Sequence, residues 1–119
     1  MQSNSANSKP APNPTIFQQV CKTYRLPEPT PEFQFHPNRK WRCDWFFEAN
    51  GRRVALEIEG GVHTGGRHTR GAGFMKDVEK YNTLSMRGIF LIRVTTDTLM
   101  NVSTFTAIKA VLYGNHEQD

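Results

Sequence analysis

Asn50-Gly51, set between an aromatic run (Trp45, Phe46, Phe47) and an apolar run (Val54, Leu56, Ile58), most limits the folds open to this chain. Both residues tolerate positive φ, so the dipeptide between two apolar runs is a strong signal for a tight β-hairpin. In the second strand, the period of two puts Val54, Leu56 and Ile58 on one face and Ala55, Glu57 and Glu59 on the other. Two acids therefore project side by side. Twelve residues separate Asp44 from Glu57, and the hairpin can bring that third acid to meet them.

Like charges a few ångströms apart repel by roughly 1 kcal/mol in water and by several times that in a cleft of lower dielectric. A bound divalent cation reverses that cost, and carboxylate oxygens suit hard ions such as Mg²⁺ or Mn²⁺. The alternative is a solvated hairpin face on which the acids pair with Arg42, Arg52 or Arg53. Spacing alone leaves both open.

A chain of 119 residues suits one domain with one core. Residues 1–14 are mainly Ser, Asn, Pro and Ala, which cannot offset ordering entropy by burial, so a disordered tail is expected there. The domain is expected over residues 15–114, with a polar tail at 115–119. No apolar run of about 18 residues exists, so no membrane partner is expected, and the polar start lacks the apolar centre of a signal peptide. The expected location is therefore the cytoplasm. Cys21 and Cys43 match no zinc spacing and are expected to be reduced, buried thiols. A net charge of +4 and a pI near 9.3 point to a polyanionic partner.

From Thr15, an N-cap candidate, Ile16, Phe17, Val20, Cys21 and Tyr24 recur at helical spacing. Residues 32–36 alternate and predict a first strand closed by Pro37. Arg39, Lys40 and Arg42 then surround Trp41, a cluster suited to phosphate contact beside a stacking ring, or to a solvated turn. Residues 60–73 hold six glycines with His63, Arg67, His68 and Arg70. So many donors on so permissive a backbone point to a functional loop, although it has no P-loop ending.

Residues 74–87 predict a helix with Phe74, Val78, Tyr81 and Ser85 on one face, Leu84 beside them and Gly88 as its stop. Asp77 flanks that face, Lys80 lies one step further round, and Lys76 and Glu79 are expected to point to solvent. Residues 89–95 are almost continuously apolar, which predicts a strand buried on both faces. Thr96 or Asp97 is expected to cap a last helix through Tyr113, with Leu99, Val102, Phe105, Ile108, Val111 and Leu112 inward. The expected fold class is α/β (α+β), in the order αβββαβα.

Asp44-Trp45-Phe46, then Glu57-Ile58-Glu59-Gly60 with His63, a helix bearing Asp77 and Lys80, Gly88, and Leu91-Ile92-Arg93-Val94 follow one another in this sequence. That succession over residues 32–95 resembles the PD-(D/E)XK nuclease superfamily, in particular its small branch of very-short-patch-repair endonucleases and phage nucleases. The resemblance implies a restriction-endonuclease-like core, a mixed central sheet flanked by helices. It also implies a Mg²⁺- or Mn²⁺-dependent endodeoxyribonuclease, structure-selective or nicking, in phage or bacterial DNA processing.

Asp44 and Glu57 would ligate the metal, with the Ile58 carbonyl as a further ligand. Glu59 stands where the superfamily has lysine. Three replacements are open: Glu59 itself on the metal or the water, Lys80 reaching in from its helix, or His63 as base. Arg39, Lys40, Arg42, Arg67, His68 and Arg70 would grip DNA phosphates, with Asp77 and Glu32 as supporting acids. Double-strand cutting would call for a homodimer, and the N-terminal tail would suit docking into a larger phage or repair complex. Three competitors are a DNA-binding module of the same fold without catalysis, a zinc site built from His36, His63, His68 and His116 with an acid, and a structural partner in a larger assembly.

Overall fold

The computed structural model describes residues 15–60 and 72–114. Thr15 caps α1 (Ile16–Thr23) through a reciprocal box: its Oγ1 accepts from the Gln18 N–H at 3.1 Å, and its own N–H donates to Gln18 Oε1 at 2.8 Å. There follow β1 (Thr30–Gln34), β2 (Arg42–Ala49), β3 (Arg52–Glu59), α2 (Ala72–Met86), β4 (Phe90–Thr95) and α3 (Val102–Tyr113). Asn50 and Gly51 take φ of 59° and 76°, the doubly left-handed turn that the dipeptide predicts.

The strands form one mixed sheet in the order β1-β2-β3-β4. β1–β2 and β2–β3 are antiparallel, whereas β3–β4 is parallel. A parallel pair needs a crossover, and α2 lies on the connection that supplies it. One face of the sheet gives Phe47, Val54 and Leu56 to a core shared with Phe17 and Cys21 of α1 and Phe105, Ile108 and Leu112 of α3. The other gives Cys43, Phe46 and Ala55 to a second core with Leu84 of α2, Phe35 and Ile89. The fold is thus mixed α+β, with three helices flanking a four-stranded sheet among the described residues.

Several sequence expectations need correction. β1 begins at Thr30, two residues early. β4 is an edge strand, half-buried, with Phe90 53% exposed. An apolar run reports what a strand is made of, not how many neighbours it has. α2 turns Tyr81, Thr83 and Leu84 inward, and leaves Val78 and Ser85 exposed. α3 starts only at Val102, itself exposed, with Asn101 as N-cap. Thr95 and Thr98 bond each other in the preceding turn, and the Thr98 carbonyl accepts from the buried Thr104 hydroxyl at 2.9 Å. Among the described residues, no helix is long and apolar enough to cross a membrane.

Candidate active site at the fork of the sheet

The β2–β3 ladder runs from Ala49↔Arg52 to Trp45↔Leu56, whereas β3 goes on pairing with β4 through Glu57↔Arg93, Ile58↔Val94 and Glu59↔Thr95. Beyond Leu56 the sheet therefore forks. At the fork the Ile58 N–H donates to Asp44 Oδ2 at 2.7 Å, so a carboxylate takes the place of a main-chain acceptor and is fixed there. β2 is irregular at this point. Cys43 and Phe46 pack into the same core although three residues apart, which strict alternation forbids. Across the strand, Glu32 lies between the paired residues Pro31 and Phe33 with φ of 50°, a left-handed conformation costly for a non-glycine. Its side chain is exposed.

Glu57, at 8% exposure, is buried on the face that α2 covers. Lys80 Nζ lies 2.9 Å from its Oε2. The contact is an ion pair by distance without aligned hydrogen-bond geometry, and Oε2 accepts no aligned hydrogen bond among the described residues. Burial raises the Glu57 pKa above the ordinary carboxylate range; Lys80 opposes that shift, and the charges of Asp44 and Glu59 add to it. The charge on Asp44 is therefore close enough to disfavour the ionisation of Glu57.

Glu59 has different company. Its Oε2 accepts from Arg93 Nε at 3.0 Å and from the Tyr81 hydroxyl at 3.3 Å, while the Arg93 guanidinium lies 4.8 Å from the Tyr81 ring centroid. Burial, and then the Glu59 charge, push the Tyr81 phenol up; the hydrogen bond to Glu59 pushes Arg93 up. Half of the Arg93 side chain stays exposed. Cys43, beside Glu57, is pushed up to about 12 by burial and so is no thiolate nucleophile.

The structure thus brings Asp44, Glu57 and Lys80 together, and sets Glu59 beside them with Arg93 and Tyr81. Asp77 lies on the exposed side of α2. Arg39 covers the Trp41 ring at 3.8 Å and pairs with Glu79 at 3.0 Å, so Glu79, exposed as expected, also ties the β1–β2 connection to α2. Lys40 and Arg42 are exposed nearby. His63, Arg67, His68, Arg70 and His116 lie outside the described residues. In the sequence Arg93 reads only as part of a strand motif and Tyr81 only as a residue of the apolar helix face, neither with a site role. A lone cation inside an otherwise apolar strand was the signal for the first.

No family model, characterised protein or solved structure matches this chain. Functional reading therefore rests on the site. Among the described residues, no group of three or more His, Cys, Asp or Glu side chains forms a ready metal cage. What remains is a carboxylate pair, Asp44 and Glu57, with hard oxygen donors and one buried oxygen lacking an aligned partner. That donor set fits Mg²⁺ or Mn²⁺, which complete their shells with water and substrate oxygens.

Proposed function

We propose that this chain is a metal-dependent endodeoxyribonuclease with a restriction-endonuclease-like core of the PD-(D/E)XK type. One observation carries the reading: an aspartate fixed at a strand fork beside a buried glutamate, with a lysine delivered to that glutamate at 2.9 Å from the crossover helix. Asp44 and Glu57 would hold Mg²⁺ or Mn²⁺, which supplies Lewis acidity and lowers the pKa of bound water. Lys80 stands where a cation can pair with a non-bridging phosphate oxygen or orient the attacking water, the part that the superfamily gives to the lysine missing at position 59. Arg93, held by Glu59 and Tyr81, offers its free guanidinium edge to a flanking phosphate. Lys40 and Arg42 extend the basic surface.

Incubating the purified protein with supercoiled, duplex, flap, junction and single-stranded DNA in Mg²⁺, Mn²⁺ or EDTA tests this. Cleavage that needs the metal and vanishes in Asp44→Asn and Glu57→Gln is expected. Undiminished nicking by either variant would refute it.

A second reading is a DNA-binding module of the same fold without catalysis. The ion pairs of two of the three acids favour it, since Glu57 has Lys80 and Glu59 has Arg93. Metal-independent DNA binding without cleavage of any substrate in the panel would decide for it.

A further inference from the structure

On the sheet face that carries Glu57, near the C-terminal end of α2, lies an open groove of about 510 Å³ that the acid site does not use. Phe33, Phe46 and Ile89 line it, and the two phenylalanine rings stack with centroids 4.0 Å apart and planes 16° from parallel. Its polar lining includes Arg53, Arg87 and Glu48. The Arg53 guanidinium donates to the Arg87 main-chain carbonyl, which fixes its position. Among the described residues, neither guanidinium has a carboxylate within ion-pair distance. His36 also lines the groove; its Nδ1 accepts the N–H groups of Asn38 and Arg39, so in the neutral ring Nε2 carries the hydrogen and is a donor.

We propose that this groove receives one unstacked nucleotide, its base extending the Phe33–Phe46 stack and its phosphate on Arg53 and Arg87. An aromatic stack accepts any base by its π-face. Planar guanidinium groups match phosphate oxygens in pairs, and two cations without an ion-pair partner among the described residues, against one carboxylate, leave the groove attractive to an anion. Glu48, opposite Arg53 in the β2–β3 register, can only accept hydrogen bonds when ionised. It favours bases with an exocyclic amine, adenine, cytosine or guanine, over thymine, whose only N–H donor is the ring N3–H. The volume is in the range of small-ligand sites.

The same nucleobase-phosphate unit can arrive free or within a DNA strand. The strand source rests on the nuclease reading. Lys80 and Arg87 are seven residues apart on and just beyond one helix, about 10 Å along its axis. A strand whose phosphate meets Lys80 would therefore place a nucleotide a few steps away over the groove.

The test uses the full-length labelled protein in EDTA, so that nothing is cleaved. In one arm dAMP is titrated by NMR; in the other, DNA carries 2-aminopurine either in an unpaired overhang or inside a blunt duplex. Saturable shifts at Ile89, Phe33 and Phe46 are expected with dAMP, with at least threefold weaker binding of dTMP. Quenching of 2-aminopurine in the overhang but not in the duplex is also expected. Arg87→Gln, at an exposed position, should keep the near-ultraviolet circular dichroism and weaken both responses at least tenfold. Response to dAMP alone assigns a free nucleotide, and response to the overhang alone assigns the strand. Shifts confined to other residues, or no response in either arm, overturn the proposal. Metal-dependent cleavage without any groove response would sink this site and spare the nuclease reading; groove response without cleavage would do the reverse.

Discussion

Replacing Lys80 by Met keeps most of the side-chain volume and removes the only cation in contact with Glu57 among the described residues. Breaking a fully buried pair costs about 3–5 kcal/mol, and an exposed pair contributes about 0–1 kcal/mol. The two side chains here are 17% and 11% exposed, so the loss should be about 2 kcal/mol at pH 8, roughly a 10 °C fall in Tm for a domain of this size. The loss must also depend on pH in a definite direction. A carboxyl whose folded pKa is raised binds its proton more tightly in the folded state, so stability falls as pH climbs from the ordinary glutamate value of 4.5 through the folded value. Lys80 opposes that rise. Without it the folded value moves higher still and the fall is deeper. The variant should therefore come closest to the parent at low pH, where Glu57 carries its proton in both, and diverge as pH increases.

Urea unfolding followed by Trp41 and Trp45 fluorescence at pH 5 and pH 8 measures this, with an unchanged m-value showing that both proteins unfold alike. Adding Glu57→Gln to Lys80→Met should recover about 1–2 kcal/mol at pH 8, because no charge is left stranded. A deficit equal at the two pH values, or below about 0.5 kcal/mol at pH 8, would show that Glu57 does not depend on Lys80.

Asp44→Asn should abolish metal-dependent nicking by at least 100-fold while leaving Tm equal or higher, since an amide oxygen still accepts from Ile58 and the repulsion with Glu57 is gone; Asp44→Ala loses that bond and should cost about 1–2 kcal/mol in urea titrations. Arg93→Ala, at a half-exposed position, should change stability by less than about 1 kcal/mol, yet lower the slope of log affinity against log salt by about one in DNA-binding anisotropy. Gly88→Ala should cost about 1 kcal/mol by thermal unfolding. Its φ of +72° penalises any Cβ, and the added atom would meet Arg53 Nη2 only at an ordinary 3.5 Å.

The hairpin was legible because its signals are local: two residues set the turn, and the period of two sorted Val54 and Leu56 into one core and Ala55 and Glu57 onto the other face. The inward face of α2 was legible only in part: Lys80 was placed one step round from the apolar face, open to the acid site or to a solvated ion pair, and Val78 was counted as core, whereas Lys80 meets the buried Glu57 on β3 and Val78 is exposed. Such a partner lies 23 residues away and leaves no mark on the helix itself. The fork is also silent in sequence. Nothing local to Asp44 says that the β2–β3 ladder ends one residue later at Trp45, or that a carboxylate will take the Ile58 N–H.

Glu59, the acid at the position where a lysine was expected, follows from the same geometry. The parallel register sets Arg93 beside Glu57 on one face of the sheet, and Glu59 Oε2 receives Arg93 Nε and the Tyr81 hydroxyl. A lysine at 59 would meet Arg93 with like charge, lose both hydrogen bonds, and put a third cation beside Lys80 and Arg93 against only two acids. Glu59→Lys, which would supply the lysine of the proposed superfamily, should therefore not raise activity. Both groups are more than a third exposed, so solvent screening holds the cost to about 1 kcal/mol. Reversing the pair with Glu59→Lys and Arg93→Glu together should return most of that loss, as a double-mutant cycle on Tm and urea midpoints would show. If Glu59→Lys alone instead stabilises the protein, Arg93 is not held by Glu59, and position 59 is free to serve the site directly.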